Sequence, residues 1–394
     1  MSLTSQEIEC AKVSQFDLAS GYPQVRLPRY FAEAIGRLNH LRELTTNHFG
    51  TATSNRDEVR DRLCDSACRF LGEGPGLRLF RTHLTYSGSA AISRALVACK
   101  NVGKARNRAG LELVLLSPCI DIYGMFAEEL AGVAIQRIDC VEPHFVPNVP
   151  AVLAVARSPA PDNMQRVFLI ASPENPTGYV WRRGDLQALV AACEEHSHCL
   201  ILDHAFLLAG LQIRRPAALW DLQVERLFGC ALWDTGKTFG MNGEKIGMIF
   251  STPIMSRHID DALSVLHFSV SSFQQALFAD VLHQASDNSY QDELREIAHA
   301  NLAKLSSALT EFGCETNEPH GGTFALVDVG KVFASDEVAR ESLLRHRIGV
   351  VSASAFFHHV VVPKTWIRVA LARDKSSFSE AVADMSYIMR RSRA

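Results

Sequence analysis

"QRVFLIASPENPTGYVWRRGDLQALVAACEEHSHCLILDHAF", residues 165–206, decides the fold class. Its two short apolar runs, "VFLIA" and "CLIL", carry hydrophobic side chains on both faces, and the amphipathic stretch "GDLQALVAACEEH" lies between them. A strand that is apolar on both sides must be covered on both sides, and a strand–helix–strand connection makes parallel neighbours. The alternation continues outward. "RTHLTYS" precedes "SAAISRALVACK", and "LELVLLSP" precedes "IYGMFAEELAG" and then "VAIQRID". The pattern predicts an α/β protein, a mainly parallel sheet with helices on both faces. Ligands of such sheets sit at the carboxyl ends of the strands, so the residues following each apolar run are the place to look for chemistry.

Past "GMIFSTP" the character changes. Residues 255–312 read as long helices, followed by "GGTFALVDVG", a helix near "SDEVARESLLRHR" and the strand-like "WIRVALAR". This predicts a smaller α+β domain. The expected division is an N-terminal arm over residues 1–45 that joins the small domain, a large domain over 46–275 and a C-terminal small domain over 276–394. No internal repeat, heptad run or low-complexity tract interrupts it.

The 394 residues are 47% hydrophobic and 21% charged, with a formal net charge of −3 and acids and bases interspersed. That balance gives no electrostatic reason to expect nucleic acid or an anionic membrane as partner. No apolar run is long enough to span a bilayer. The opening "MSLTSQEIECAKVSQFDLASG" lacks the basic-then-apolar order of a signal peptide. Ten scattered cysteines without a Cys-x-x-Cys pair read as reduced, packed thiols, and Cys64 and Cys68 fall on one face of a helix. The expected compartment is the cytoplasm.

The segments after the strands are rich in functional groups. Ser87-Gly88-Ser89 opens a helix, and small residues there leave backbone N–H groups free for a phosphate; Ser-Gly also makes a plain N-cap turn. Pro173, Pro176 and Gly178 fix a loop that presents the Asn175 amide, or makes a surface turn. Asp203 ends an apolar run, where a carboxylate needs a cationic or hydrogen-bonding partner. Lys237 stands in a tight Thr-Gly-Lys-Thr turn between two apolar runs. A lysine in a dry pocket has a lowered pKa, and its neutral amine attacks a carbonyl. Together these parts suit pyridoxal phosphate chemistry, in which a lysine holds the aldehyde and an acid keeps the pyridine nitrogen protonated.

The order Ser-Gly-Ser, Asn-Pro-Thr-Gly, Asp-x-Ala-Phe, Thr-Gly-Lys-Thr-Phe-Gly and a late Ile-Arg-Val-Ala resembles the aminotransferase class I/II family, fold type I of the pyridoxal phosphate enzymes. The resemblance covers nearly the whole chain. It implies an enzyme acting on a free L-amino acid through an aldimine and a quinonoid, with Lys237 as Schiff-base lysine and proton carrier at Cα. It also implies Asp203 as pyridinium partner, Asn175 at the phenolate oxygen, and Ser87, Gly88, Ser89 and Lys245 around the phosphate. Arg368 would take the substrate α-carboxylate in a bidentate fork.

Four positions depart from the family pattern. Asp234 stands three before the lysine, where serine is common; a carboxylate repelled by phosphate is expected to turn elsewhere, toward a cationic substrate side chain. Lys245 replaces an arginine and Phe206 a tyrosine. Ile120 stands where an aromatic stacks on the ring, with Tyr123 the alternative ring-facing residue. Asp-Thr-Gly-Lys resembles a branch of oxygen-using arginine oxidases and hydroxylases, and more loosely the capreomycidine-type cyclases. In "SQFDLASGYP", Gly21 matches that branch, Ser20 replaces an acid near the guanidinium, and Tyr22 replaces a histidine near the ring. Glu7 and Glu9 would restore negative charge if the arm folded over the site.

The expected activity is therefore oxidation, hydroxylation or cyclisation of a basic, arginine-like amino acid in specialised metabolism. The alternative is an ordinary aminotransferase exchanging an amino group with a 2-keto acid, and a non-catalytic ligand-binding module is the reading from another class. The resemblance further implies a homodimer in which "TTNHFGTATSN" reaches the neighbour's cofactor. No metal is expected: His196, His198 and Cys199 flank a helix-to-strand turn, and His204 reads as packed. His358 and His359, adjacent before an apolar run, point to opposite faces of a strand.

Overall fold

The computed structural model describes residues 3–38, 53–72, 76–264, 270–287, 289–357 and 365–393. The apolar runs form one seven-stranded sheet of β1 (Arg81–Thr85), β2 (Gly110–Ser117), β3 (Val133–Asp139), β4 (Met164–Ala171), β5 (Cys199–Asp203), β6 (Phe228–Asp234) and β7 (Gly247–Ser251). Spatial order is β1-β7-β6-β5-β4-β2-β3. Strands β3, β2, β4, β5 and β6 are mutually parallel, and β7 runs antiparallel to both its neighbours. The expected mainly parallel α/β sheet, that of fold type I, is the fold. The reversal of β7 matters for chemistry. Its first residues lie at the edge where the parallel strands end, so Lys245 arrives beside them.

The helices up to the sheet's end are α1 (Leu3–Lys12), α2 (Arg29–Leu38), α3 (Thr53–Leu71), α4 (Gly88–Ala105), α5 (Ile122–Glu128), α6 (Val149–Ala156), α7 (Arg183–His196) and α8 (Thr235–Phe239). After it come α9 (Pro253–Ser264), α10 (Ser272–Gln284), α11 (Ser289–Thr310), α12 (Asp336–Arg345) and α13 (Lys375–Arg393). Strand residues divide by parity. Val114, Leu116, Phe168 and Ile170 pack under α2, α3, α6, α7 and α10. Leu113, Leu115, Val167 and Leu169 pack under α4, α5 and α9. Local signals set the helix ends. Ser87 caps α4, its Oγ accepting from Ala90 N–H at 3.1 Å. Ser197 stops α7 in the left-handed region, φ 54°, and His198 N–H returns to the Cys193 carbonyl at 2.8 Å.

A second core lies under the antiparallel sheet β8 (Glu315–Thr316), β9 (Phe324–Asp328), β11 (Trp366–Ala370) and β10 (Val351–Ser352), in that spatial order, with α12 and α13. Helix α11 serves both cores: Tyr290 and Leu294 join the larger, Ala298, Leu305 and Leu309 the smaller. The N-terminal segment also reaches the smaller unit, where Phe16 pairs with Ile348 in parallel register. No helix among the described residues is long and apolar enough to cross a membrane.

Three histidines are buried as neutral rings. Burial lowers His83, His198 and His204 to about 4. His204 packs against Trp220, with Nδ1 2.7 Å from the Ser172 carbonyl, and does not line the cleft described below. A histidine titrating near 6.5 unfolded and near 4 folded contributes stability that is fully present above 6.5 and lost as pH falls towards 4. For His204 the loss amounts to about 3 kcal/mol. The urea-unfolding difference between wild type and His204→Gln should accordingly shrink by about that much between neutral pH and pH ~4; a constant difference would contradict it.

Candidate active site

The carboxyl edge of the large sheet opens into a cleft with about 930 Å3 of empty space, part of it open to solvent. Its walls come from α1, from the loops after β1, β2 and β4, from the ends of β5 and β6, and from Lys245 and Arg368.

At the centre is Lys237. Strand β6 ends in Asp234, which caps α8: its Oδ1 accepts from Gly236 N–H at 2.7 Å and Lys237 N–H at 3.3 Å. Helix α8 is stopped at Gly240, φ 70°, where a Cβ would lie 2.5 Å from the Pro23 carbonyl oxygen. The turn expected from sequence is thus a five-residue helix. Lys237 Nζ lies 5.8 Å from the Tyr22 ring centroid and 5.9 Å from that of Phe206. Burial lowers its pKa, against the raising effect of Asp234; Lys245 and Arg368 lower it further, and Asp203 opposes them. The amine is poised towards its neutral, nucleophilic form.

Beside it, Asp203 accepts from the Tyr123 hydroxyl at 2.7 Å and from Ala205 N–H at 2.8 Å. Burial raises its pKa while the Tyr123 bond lowers it. Tyr123 is therefore tied to Asp203 by its hydroxyl. Glu174, which the sequence reading passed over, is buried nearby, and its burial lifts it to about 8.

Opposite stands Arg368, 1% exposed in β11. One terminal nitrogen donates to Asn175 Oδ1 at 2.8 Å and the other to the Ala19 carbonyl at 2.6 Å. Its guanidinium carbon lies 5.2 Å and 4.9 Å from the ring centroids of Phe324 and Phe356. Its Nε is buried with no partner, the mark of a cation awaiting an anion. Because Asn175 Oδ1 accepts from Arg368, its NH2 is the end left to donate into the cleft.

At the third corner, Gly88 and Ser89 line the cleft with Lys245. Ser87 does not face it: its Oγ is spent on capping α4. Asp234 corrects an expectation. Instead of turning away toward substrate, its Oδ2 accepts from Gly88 N–H at 2.6 Å. Converging backbone donors attract a carboxylate more than the open cleft does.

The substrate side departs furthest from the expectation of a basic substrate. Helix α1 folds over the cleft, with Thr4, Ser5 and Ile8 lining it. Glu7 turns the other way, accepting from Ser352 N–H at 2.7 Å and Oγ at 2.9 Å, and Glu9 pairs with Lys12. Among the described residues, α1 therefore brings no charge into the site. Ile120 does line the cleft, together with Ile92 and Ile122. Gly21 lines it too, but Ser20 donates its hydroxyl to Asp17.

Two further residues were missed in the sequence. Asp121 lines the cleft and accepts from Thr4 N–H at 3.2 Å, anchoring α1. Arg373 donates to the carbonyls of Asp17, Ser20 and Tyr22 at 2.6, 2.5 and 2.9 Å, fastening residues 17–22 beside the cleft. A second arginine in "WIRVALAR" was the available signal.

Elsewhere, His83 Nε2 lies 2.8 Å from Ser251 Oγ and its Nδ1 3.1 Å from Asp260. The spacing is that of a Ser-His-Asp triad, but Ser251 has no exposed surface, so the set ties β1 and β7 to α9. His196 and His198 stack with centroids 5.6 Å apart and Cys199 is buried in β5; no metal-binding group of His, Cys, Asp and Glu occurs among the described residues. His358, His359 and residues 45–52 of "TTNHFGTATSN" lie outside the described residues.

A sequence model of the aminotransferase class I and II family matches residues 14–384. The chain is 26% identical to the methionine aminotransferase of Escherichia coli over 394 residues, covering 97% of this chain and 92% of that relative. It is 26% identical over 349 residues to the aspartate/prephenate aminotransferase of Thermus thermophilus, covering 87% and 84%. Among solved structures, E. coli YbdL, described as having a methionine aminotransferase function, superposes with a TM-score of 0.81 at 23% identity, over 98% of this chain and 97% of that one. T. thermophilus aspartate aminotransferase with maleate gives 0.78 at 20%, over 98% and 97%. Those likenesses establish the fold.

Proposed function

The chain belongs to the aminotransferase class I and II family, a pyridoxal phosphate-dependent family, and on that premise we propose that it is an ordinary aminotransferase for a neutral amino acid with an apolar side chain. The observation that carries this reading is the pairing of a buried guanidinium, its Nε without an acceptor, with an apolar wall. Arg368 Nε has no partner, and Ile8, Ile92, Ile120 and Ile122 line the same cleft.

When bound, the cofactor supplies an aldehyde for an amine and a ring that withdraws electrons from the amino acid's Cα. The residues fit it. Lys237 offers an amine whose pKa is lowered by burial. Asp203, held by Tyr123 and Ala205, would offer a carboxylate to the ring nitrogen, and Asn175 would offer an amide donor to the ring's oxygen. The Arg368 guanidinium would hold the substrate carboxylate, and the Lys237 amine, lining the same cleft, would take the Cα proton. Helix α1 contributes Thr4, Ser5 and Ile8 to the cleft wall. The family resemblance to homodimeric enzymes supports a second copy of this chain as partner.

The relatives named methionine and aspartate aminotransferases support transamination over the arginine oxidase and cyclase reading. The carboxylate of Asp121 in the cleft is what favours a basic substrate instead. One experiment separates the two: mix the holoenzyme with single amino acids in air, without keto acid, and record its absorbance and dissolved oxygen. Methionine and other neutral amino acids should bleach the visible band without oxygen uptake, and a 2-keto acid should restore it. Oxygen consumption with arginine, and silence with methionine, would overturn the proposal.

A further inference from the structure

Asp234 does more than cap a helix. An N-cap carboxylate needs only the N–H groups of its own turn, here Gly236 and Lys237. Asp234 also crosses to a separate element and takes Gly88 N–H, the first residue of α4, at 2.6 Å. The surroundings are shaped to it. A Cβ at Gly88 would lie 2.9 Å from Oδ2; one at Gly236 would lie 2.8 Å from Oδ1 and 3.0 Å from Lys245 Cδ. The side chain is 4% exposed, and Gly88, Ser89, Lys245 and Lys237 line the same end of the cleft. One backbone donor at this corner, Gly88 N–H, is thus already engaged by an internal anion.

We propose that Asp234 is a built-in competitor for the cofactor's phosphate: it fills the anion cup of the cofactor-free protein and must release Gly88 N–H before the phosphate can bind. One N–H cannot serve two anions, and the two repel each other at contact distance. Compensating cations are few. Among the described residues the cleft-lining cations are Lys237, Lys245 and Arg368; Arg368 stands across the cleft beside Asn175 and Ala19, and Lys245 Nζ donates to Asn242 Oδ1 at 2.7 Å. The phosphate therefore adds little to cofactor affinity in this chain, and free inorganic phosphate is kept out. Asp234 acts as a determinant of cofactor selectivity, independently of which amino acid is the substrate.

The test compares pyridoxal phosphate with pyridoxal, which shares the aldehyde and ring but lacks the phosphate. Cofactor-free wild type, Asp234→Ser and Asp234→Asn are titrated with each, and dissociation constants are read from the visible band and from protein fluorescence. Both substitutions should tighten pyridoxal phosphate by about tenfold or more while leaving pyridoxal within about twofold. Inorganic phosphate should compete with pyridoxal phosphate in the Asp234→Ser protein and leave the wild type unaffected. Asn keeps the shape and a capping oxygen, so it answers the question even if Ser disturbs α8; circular dichroism monitors folding. Equal shifts for both aldehydes, weaker binding of pyridoxal phosphate, or competition by phosphate in the wild type would overturn the proposal. The pyridoxal band reports Lys237 by itself, so failure of the lysine assignment is distinguishable from failure of the cup.

Discussion

Replacing Lys237 with alanine should abolish the visible absorbance of the holoenzyme and lower turnover by roughly 10⁴-fold or more, because one amine both holds the aldehyde and moves the Cα proton. The fold should survive. Helix α8 is held by the Asp234 cap, by Trp233 Nε1 donating to Thr238 Oγ1 at 3.0 Å and by the fully buried Phe239, none of which involves the lysine side chain. The cofactor should still bind without a covalent bond, and adding a small primary amine should restore part of the proton transfer. Persistence of the band would mean that another amine holds the aldehyde. Lys245, the other lysine lining the cleft, would then be the group to test.

Asp203→Asn should be the next most damaging change. Asparagine has the shape of aspartate: its one carbonyl oxygen can keep the Ala205 N–H bond while its NH2 donates to the Tyr123 hydroxyl oxygen, so the packing around β5 is preserved. What it removes is the negative charge that keeps a ring nitrogen protonated. In a water-poor site, such a charge is worth about 10²- to 10³-fold in turnover. The fall should appear in kcat with little change in KM, since the substrate carboxylate meets Arg368 and not Asp203. The protein's absorbance maximum should shift as well. Near-wild-type turnover would remove Asp203 from the cofactor's nitrogen. A rise in KM alone would place it on the substrate side.

The same residues show why part of the site was legible in advance. Lys237, Asp203 and Asn175 were legible because each follows an apolar run and a parallel sheet gathers such positions at one edge, whereas Arg368, in the antiparallel sheet of the smaller unit, was legible only through the family resemblance. Lys245 converges with them for a different reason, the reversal of β7, which strand periodicity alone does not specify. Ser87 was ambiguous because a serine opening a helix serves equally as cap and as ligand; here its Oγ accepts the N-cap bond from Ala90 N–H and the residue is not among those lining the cleft.

The amino-acid sequence by itself determined the two-sided burial of the strands, the strand–helix alternation and the order of the motifs. These are local properties, set by side-chain polarity and by φ, ψ preference. The tertiary structure decided where each side chain spends its hydrogen bonds. Glu7 and Asp234 are both acids near the site in sequence terms, yet Glu7 is drawn to Ser352 and Arg340 in the smaller unit and Asp234 to Gly88 across the sheet edge. A buried carboxylate goes to the nearest converging donors. Those donors lie 345 residues away for Glu7 and 146 for Asp234, distances over which only the folded chain brings them together.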